Sequence, residues 1–159
     1  MHSMNFEEIY SQYYQRVFRL CIGYLNDRDW AKDVVQETFI TVWQQQGKFK
    51  GESSIGTWIF RIASNHCLRQ IEKEKRIPKG QMLRDVEDTP ANSIEPRTAF
   101  LYKCIADLPE SERLIISLEL EDVDQKEIAS ILGLSEANVR VKIHRIKEKL
   151  SEKFKAYKE

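Results

Sequence analysis

The sequence predicts an all-α protein of two small helical domains joined by a flexible linker, the C-terminal one a helix-turn-helix, and three observations predict it. Apolar residues recur at three- and four-residue spacing along most of the chain, while β-rich alternating segments are few and only 6 of 159 residues are glycine. The four prolines, at 78, 90, 96 and 109, all lie in the middle of the chain, three of them within residues 77–98. The last fifty residues then carry a complete helix-turn-helix register. These observations divide the chain into residues 1–76, a linker at 77–98, and residues 99–159.

In the first segment Phe6, Ile9, Tyr10, Tyr13, Val17, Leu20, Cys21 and Tyr24 follow helical spacing, and Trp30, Val34, Val35, Phe39, Val42 and Trp43 follow it again. A third helix is predicted from about Ser54 to Lys75. Residues 77–98 (IPKGQMLRDVEDTPANSIEPRT) lack sustained periodicity and read as a linker, partly extended or flexible. In the C-terminal segment Gln125, Ala129, Gly133 and Val139 occupy positions 1, 5, 9 and 15 of one register. Each has a steric task there. Ala129 lets two helices approach, Gly133 can take the positive φ of a tight interhelical turn, and Ser135 can cap the second helix.

Composition sets outer limits. With 42% hydrophobic and 31% charged residues the chain can bury one modest core or two small ones. Its net charge of zero argues at first against nucleic acid, yet the charge is unevenly placed. Residues 1–76 hold 11 basic against 9 acidic side chains, residues 77–122 hold 5 against 10, and residues 123–159 hold 9 against 6. Both ends are therefore mildly basic, which predicts only weak DNA affinity for the chain alone, because phosphate neutralisation supplies most non-specific binding. Cys21, Cys67 and Cys104 are odd in number, widely spaced and set among apolar positions, as expected of reduced core thiols in a cytoplasmic protein. Nothing in the spacing of His and Cys suggests a metal site, no cofactor is implied, and no apolar run approaches the ~20 residues of a membrane span.

On the second helix of the C-terminal motif Val139, Ile143, Ile146 and Leu150 fall on one side and must face the protein. Ala137, Arg140, Val141 and His144, flanked by Arg145, are centred on the opposite side near its N-terminal end, where a recognition helix reaches base edges in the major groove. Arg140 or Arg145 suits guanine, the methyls of Val141 suit a thymine methyl, and Lys142, Lys147 and Lys149 suit phosphates. The alternative, a basic surface helix in a bundle, leaves the four-position register unexplained.

The third helix has two unlike faces. Ile55, Ile59, Ile62, Ala63 and His66 are expected in the core, whereas Trp58, Arg61, Asn65 and Arg69 line up within about 80° of one another. A base can stack on Trp58, phosphates can pair with Arg61 and Arg69, and Asn65 offers both donor and acceptor to an unpaired base. A Trp lodged in a helix junction beside solvated arginines is the competing account. Ahead of this helix Gly47-Lys48-Phe49-Lys50-Gly51-Glu52-Ser53-Ser54 offers two glycine hinges, two lysines, an aromatic ring and two hydroxyls. It can cup an extruded base or serve as an ordinary turn in which a serine caps the helix.

Asp33-Val34-Val35-Gln36-Glu37-Thr38-Phe39, Phe49-Lys50-Gly51-Glu52-Ser53 and Thr57-Trp58-Ile59-Phe60-Arg61-Ile62-Ala63-Ser64-Asn65 resemble successive motifs of region 2 of extracytoplasmic-function (ECF) type RNA polymerase sigma factors, and Leu108-Pro109 through Leu150 resembles their region 4. The resemblance implies a protein that binds core RNA polymerase, directs it to promoter DNA and helps to open the duplex. It places Asp33, Gln36 and Glu37 on the polymerase-contacting positions, with Phe39 supporting that surface. It places Trp58 and Asn65 at the minus-10 strand, with the Phe49 to Ser54 loop, including Lys50 and Ser53, taking a flipped base, and so gives the stripe that periodicity drew through Arg61 and Arg69 a mechanism. Arg140, Val141, His144 and Arg145 fall at the minus-35 element. It further implies an anti-sigma partner, often membrane-bound, and no small-molecule substrate. His144 occupies a recognition-helix place where relatives can carry an aromatic or other residue, and Val141 brings no hydrogen bond, so the resemblance implies no particular minus-35 sequence.

Two other classes compete. A conventional helix-turn-helix regulator would bind duplex operator without polymerase, but the N-terminal half shows neither a βα pattern nor a self-complementary heptad seam. A nuclease using Asp27, Asp29 and Asp33 lacks a paired metal-ligand cluster, and acids at a helix start are explained by capping and the helix dipole.

Overall fold

The computed structural model describes residues 4–51, 53–75 and 95–157. These form seven α-helices: α1 (Phe6–Leu25), α2 (Arg28–Gln45), α3 (Ile55–Lys75), α4 (Pro96–Ala106), α5 (Glu110–Leu120), α6 (Gln125–Leu132) and α7 (Glu136–Lys155). No strand occurs among the described residues, so the chain is all-α as its spacing predicts.

Local chemistry sets the helix ends. Asn5 accepts from the Glu8 amide at 2.8 Å to start α1, and Asn26 closes it in the left-handed region at φ 52°. Asp27 begins α2 at once by accepting from the Trp30 amide at 2.9 Å, so two residues suffice to fold α2 back on α1. A single 3₁₀ turn (Gln46–Lys48) ends α2. Ser54 Oγ then receives the Thr57 amide at 3.1 Å at the head of α3, which packs on both preceding helices. Pro96 stands at the first position of α4, where its missing N–H costs nothing. Helix therefore begins inside the stretch that aperiodicity assigns to the 77–98 linker, and residues 77–94 lie outside the described part. Gly133 takes φ 68° between α6 and α7, and Ser135 accepts from the Asn138 amide at 3.1 Å. These are the tasks that the register gives the two residues.

Helices α1–α3 and α4–α7 do not stand apart. Buried residues from both halves form one apolar cluster that runs from Ile9, Val17, Val35, Ile59 and Cys67 to Ile105, Leu114, Ile128, Val139 and Ile146. All three cysteines are free and buried. At the junction α5 lies against α1 so closely that a Cβ on Gly23 would stand 3.1 Å from Ser117 Cβ and 2.2 Å from its Oγ. Polar groups frame this contact. Glu121, only 6% exposed, receives both Arg19 Nε and Nη2 at 2.9 Å, while Arg16 Nη2 donates to its backbone carbonyl at 2.5 Å. The Glu121 hydrogen bond raises the Arg19 pKa further above its already high value, against the opposing effect of burial. Arg113 Nε donates to the Tyr24 carbonyl at 3.0 Å, giving the last turn of α1 a cation it lacks in its own sequence. Tyr24 donates to Glu110 at 3.1 Å, and Lys75 pairs with the same carboxylate at 3.0 Å. Burial pushes the Tyr24 hydroxyl pKa up, and Glu110 pushes it further. Phe100 of α4 stacks on Tyr157 at 4.3 Å and meets Phe154 edge-on at 5.0 Å, tying α4 to the end of α7.

Gly23→Val removes the space that α5 occupies. The two halves should separate, seen as a larger radius of gyration in solution scattering, while helical circular dichroism stays within a few per cent of the parent. An unchanged radius would show that α5 adjusts without leaving α1.

Candidate nucleic-acid and polymerase interfaces

Three surfaces carry the residues singled out in the sequence. On α2, Asp33, Gln36 and Glu37 are exposed. Phe39 is not. It is 3% exposed and packs inward against Tyr10, with ring centroids 4.9 Å apart, and Tyr14 at 6.3 Å. Any support it lends the outer face comes from beneath, because its position in the helix turns it toward α1. The unexpected members of the outer face are Ile40, 56% exposed, and Trp43, 60% exposed. Its apolar character groups Trp43 with the core set, but at ~100° per residue it falls on the side of Gln36 and Ile40 and projects to solvent, while its neighbour Val42 is fully buried. The signal for both was available in their offsets from Asp33, Gln36 and Glu37, since residues three, four and seven apart share one side of a helix.

His66 links α3 to this helix. Its Nε2 lies 3.0 Å from Thr41 Oγ1, and its Nδ1 lies 3.5 Å from Glu37. Burial, followed by the positive charge of Arg69, lowers its pKa below the ordinary imidazole value despite the opposing pull of Glu37. The expectation of a core histidine thus holds for most of the ring, and its edge meets a candidate docking residue.

The α3 stripe is divided. Trp58 is half-buried and rests on Phe49 with ring centroids 5.1 Å apart and planes tilted by 40°. The two rings join Met4, Ile9, Gln46, Gly47 and Ile55 around a shallow cavity of about 470 Å³. Lys50 is exposed near its rim, and Ser53 Oγ donates to the Ser54 carbonyl at 3.3 Å. Asn65 and Arg69 are exposed further along the helix. Arg61, between them and Trp58, points at α6. Its Nη2 lies 2.6 Å from Glu127 Oε2, and both terminal nitrogens lie 3.4 Å from Ser130 Oγ. Sequence periodicity puts Arg61 on the right face of α3 but carries no information on a partner 66 residues away.

On α7 the apolar side, Val139, Ile143, Ile146 and Leu150, is buried, and Ala137, Arg140, Val141, His144 and Arg145 are exposed. Glu136 lies 4.0 Å from Arg140, and Glu148 lies 2.8 Å from His144 Nε2. Such exposed pairs within one helix are weak, about 0.3–0.5 kcal/mol, and a duplex can displace them. Lys147 and Lys149 reach back to Glu119 and Glu112 of α5 at 3.0 and 3.1 Å. Among the described residues no group of three His, Cys, Asp or Glu side chains can hold a metal ion, and no helix is long and apolar enough to cross a membrane.

Comparison with known proteins identifies the family. Residues 9–77 match the family model of sigma-70 region 2, and residues 101–150 match that of sigma-70 region 4. The chain is 32% identical to the ECF RNA polymerase sigma-E factor of Haemophilus influenzae, over 93% of this chain and 86% of that protein. It is 26% identical to the ECF sigma factor SigM of Bacillus subtilis, over 92% and 93%, and 30% identical to the sigma-E factor of Escherichia coli, over 89% and 82%. In fold it is similar to the sigma factor RpoE of Bartonella quintana, solved with the anti-sigma factor NepR (TM-score 0.81, 22% identity, 96% of this chain and 98% of that one). It is also similar to CnrH, solved with the cytosolic domain of CnrY (TM-score 0.70, 22% identity, 96% and 89%). Two sigma-70 regions in order, and a relative 32% identical along nearly the full chain, show that this protein belongs to the extracytoplasmic-function family of RNA polymerase sigma factors.

Proposed function

We propose that this sigma factor divides three tasks among three helices. The exposed face of α2, with Asp33, Gln36 and Glu37 beside Ile40 and Trp43, docks on core RNA polymerase. Carboxylates around exposed apolar side chains suit such a role, because the apolar pair gains by leaving water while the charges set orientation. Helix α3 receives the unpaired minus-10 strand. Trp58 and Phe49 form the wall of a cavity that can stack a base, Asn65 offers its amide to a base edge, and Arg61, Arg69 and Lys50 meet phosphates, with Ser53 on the loop. Helix α7 reads the minus-35 duplex through Arg140, Val141, His144 and Arg145. The observation that carries this reading is the aromatic-lined cavity followed along α3 by an exposed amide and guanidinium.

The work is binding rather than bond-making, so the chain is not an enzyme. Extruding a base costs a few kcal/mol and stacking returns about 1–3 kcal/mol per base, so contacts with polymerase must complete the opening. The names of the two elements place them about 25 base pairs apart, or ~85 Å at ~3.4 Å per base pair. In the free chain α3 touches α6. Both elements can be held at once only after the two halves part. We place the protein in the cytoplasm, where core polymerase works. We also assign it an anti-sigma factor, supported by a fold shared with a sigma factor solved with its anti-sigma factor, RpoE with NepR.

Mixing the purified chain with bacterial core polymerase should yield transcripts from a host genomic library that core enzyme alone does not make, with two shared upstream elements. Direct duplex binding with no affinity for core would instead indicate a conventional regulator. Asn65→Ala should lower open-complex formation about tenfold, by one lost base contact, and leave core binding intact. Asp33→Arg or Glu37→Lys should do the reverse. Equal losses in both assays would contradict the division between α2 and α3. Arg140→Ala should weaken promoter selection in a duplex footprint by about 1–3 kcal/mol if it reads a base, with no change in core affinity.

A further inference from the structure

Arg61 lies three residues after Trp58 and four before Asn65, within the stripe assigned to the unpaired strand. In the free chain its guanidinium is engaged by the helix-turn-helix half, by Glu127 Oε2 at 2.6 Å and Ser130 Oγ at 3.4 Å. A carboxylate facing a guanidinium presents the same anionic oxygens, at the same distance, as a nucleic-acid phosphate. Asn65 and Arg69, one and two turns further along, remain exposed. The stripe is therefore interrupted at one cation, by a side chain from the other half of the same protein. We propose that Glu127 is a built-in competitor for DNA phosphate, holding Arg61 out of use while the halves are closed and releasing it when they part. This rests on the assignment of α3 to the unpaired strand.

The competition is conditional because closure is secured elsewhere. Glu121 in the grip of Arg16 and Arg19, Arg113 on the Tyr24 carbonyl, and the Gly23–Ser117 approach hold α5 on α1 without involving either Arg61 or Glu127. Once those contacts break, no local constraint keeps Glu127 beside Arg61. In the same closed state the exposed face of α7 is uncovered. The free chain thus keeps its duplex reader open and one cation of its strand reader blocked. Exposure of 41% at Arg61 and 27% at Glu127 makes the pair a modest one, sensitive to salt.

The test is fluorescence anisotropy with a labelled single-stranded DNA 12-mer of mixed sequence, using the full chain alone and the full chain bound to core polymerase. Glu127→Gln should tighten binding of the free chain by about two- to fivefold, the range for a half-exposed ion pair, with the gain shrinking as salt rises. In the polymerase complex, where the halves are apart, the same substitution should have no effect. Gly23→Val, which touches neither partner, should mimic the gain in the free chain. Adding Arg61→Gln should abolish the gain from Glu127→Gln. An equal gain in the Arg61→Gln background would overturn the proposal by showing a general charge effect, and so would no gain in a chain that Gly23→Val has demonstrably opened. Should Arg61→Gln leave strand binding intact in the polymerase complex, the strand-binding role of Arg61 falls and the proposal with it, while core-dependent transcription by the parent chain would stand.

Discussion

The close seat of α5 on α1 is the contact on which the rest of the arrangement depends. Gly23 removes the side chain that would hold the helices apart, and Ser117 fills the space. Apolar burial continuous across the junction supplies the attraction. The Glu121 cluster bears on the position of α5, because a buried carboxylate is costly unless its partners satisfy it, and Arg16 and Arg19 do so only at this seat. An α5 displaced along α1 would bury that carboxylate without a partner, which costs far more than the pair gains, so the ion cluster fixes one position among many that apolar surfaces alone would accept.

From that seat follows the position of every other element of the second half. Helix α4 reaches α1 and is tied by Phe100 to the end of α7, while α7 closes over α5 with its apolar side inward. Burying Val139, Ile143, Ile146 and Leu150 leaves Arg140, Val141 and His144 outside, so the same packing that stabilises the motif presents its candidate reading face. Helix α6 is carried against α3, and the Arg61–Glu127 pair results. One junction thereby relates the two candidate DNA-binding surfaces in opposite ways, leaving one uncovered and engaging part of the other.

Helix α2 shows how a single period can serve two surfaces. Val34, Val35 and Phe39 turn inward, and Asp33, Gln36, Glu37, Ile40 and Trp43 turn outward. Large apolar side chains left in water beside acids are unfavourable for a lone protein and favourable for one that spends its working life bound. His66 braces this helix from α3 through Thr41 and approaches Glu37, so the candidate docking face and the candidate strand-binding helix share a structural support.

The sequence by itself determined the three N-terminal helices and the helix-turn-helix, because caps, turn residues and apolar periodicity act within a few residues along the chain. Asn5, Asp27 and Ser135 cap, Gly133 turns, and the α7 stripe buries, all as local chemistry requires. It also determined the family, whose motifs are short and contiguous. The offsets of Ile40 and Trp43 from Asp33, Gln36 and Glu37 carried their outward placement, although their apolar character pointed to the core, and the start of α4 at Pro96 was hidden in an aperiodic stretch. Tertiary structure alone decided that Arg19 reaches Glu121 across 102 residues and that Arg61 meets Glu127. Those outcomes depend on which helix faces lie against each other, and that is set by long-range contacts such as the one made possible at Gly23, which no pattern of neighbours along the chain encodes.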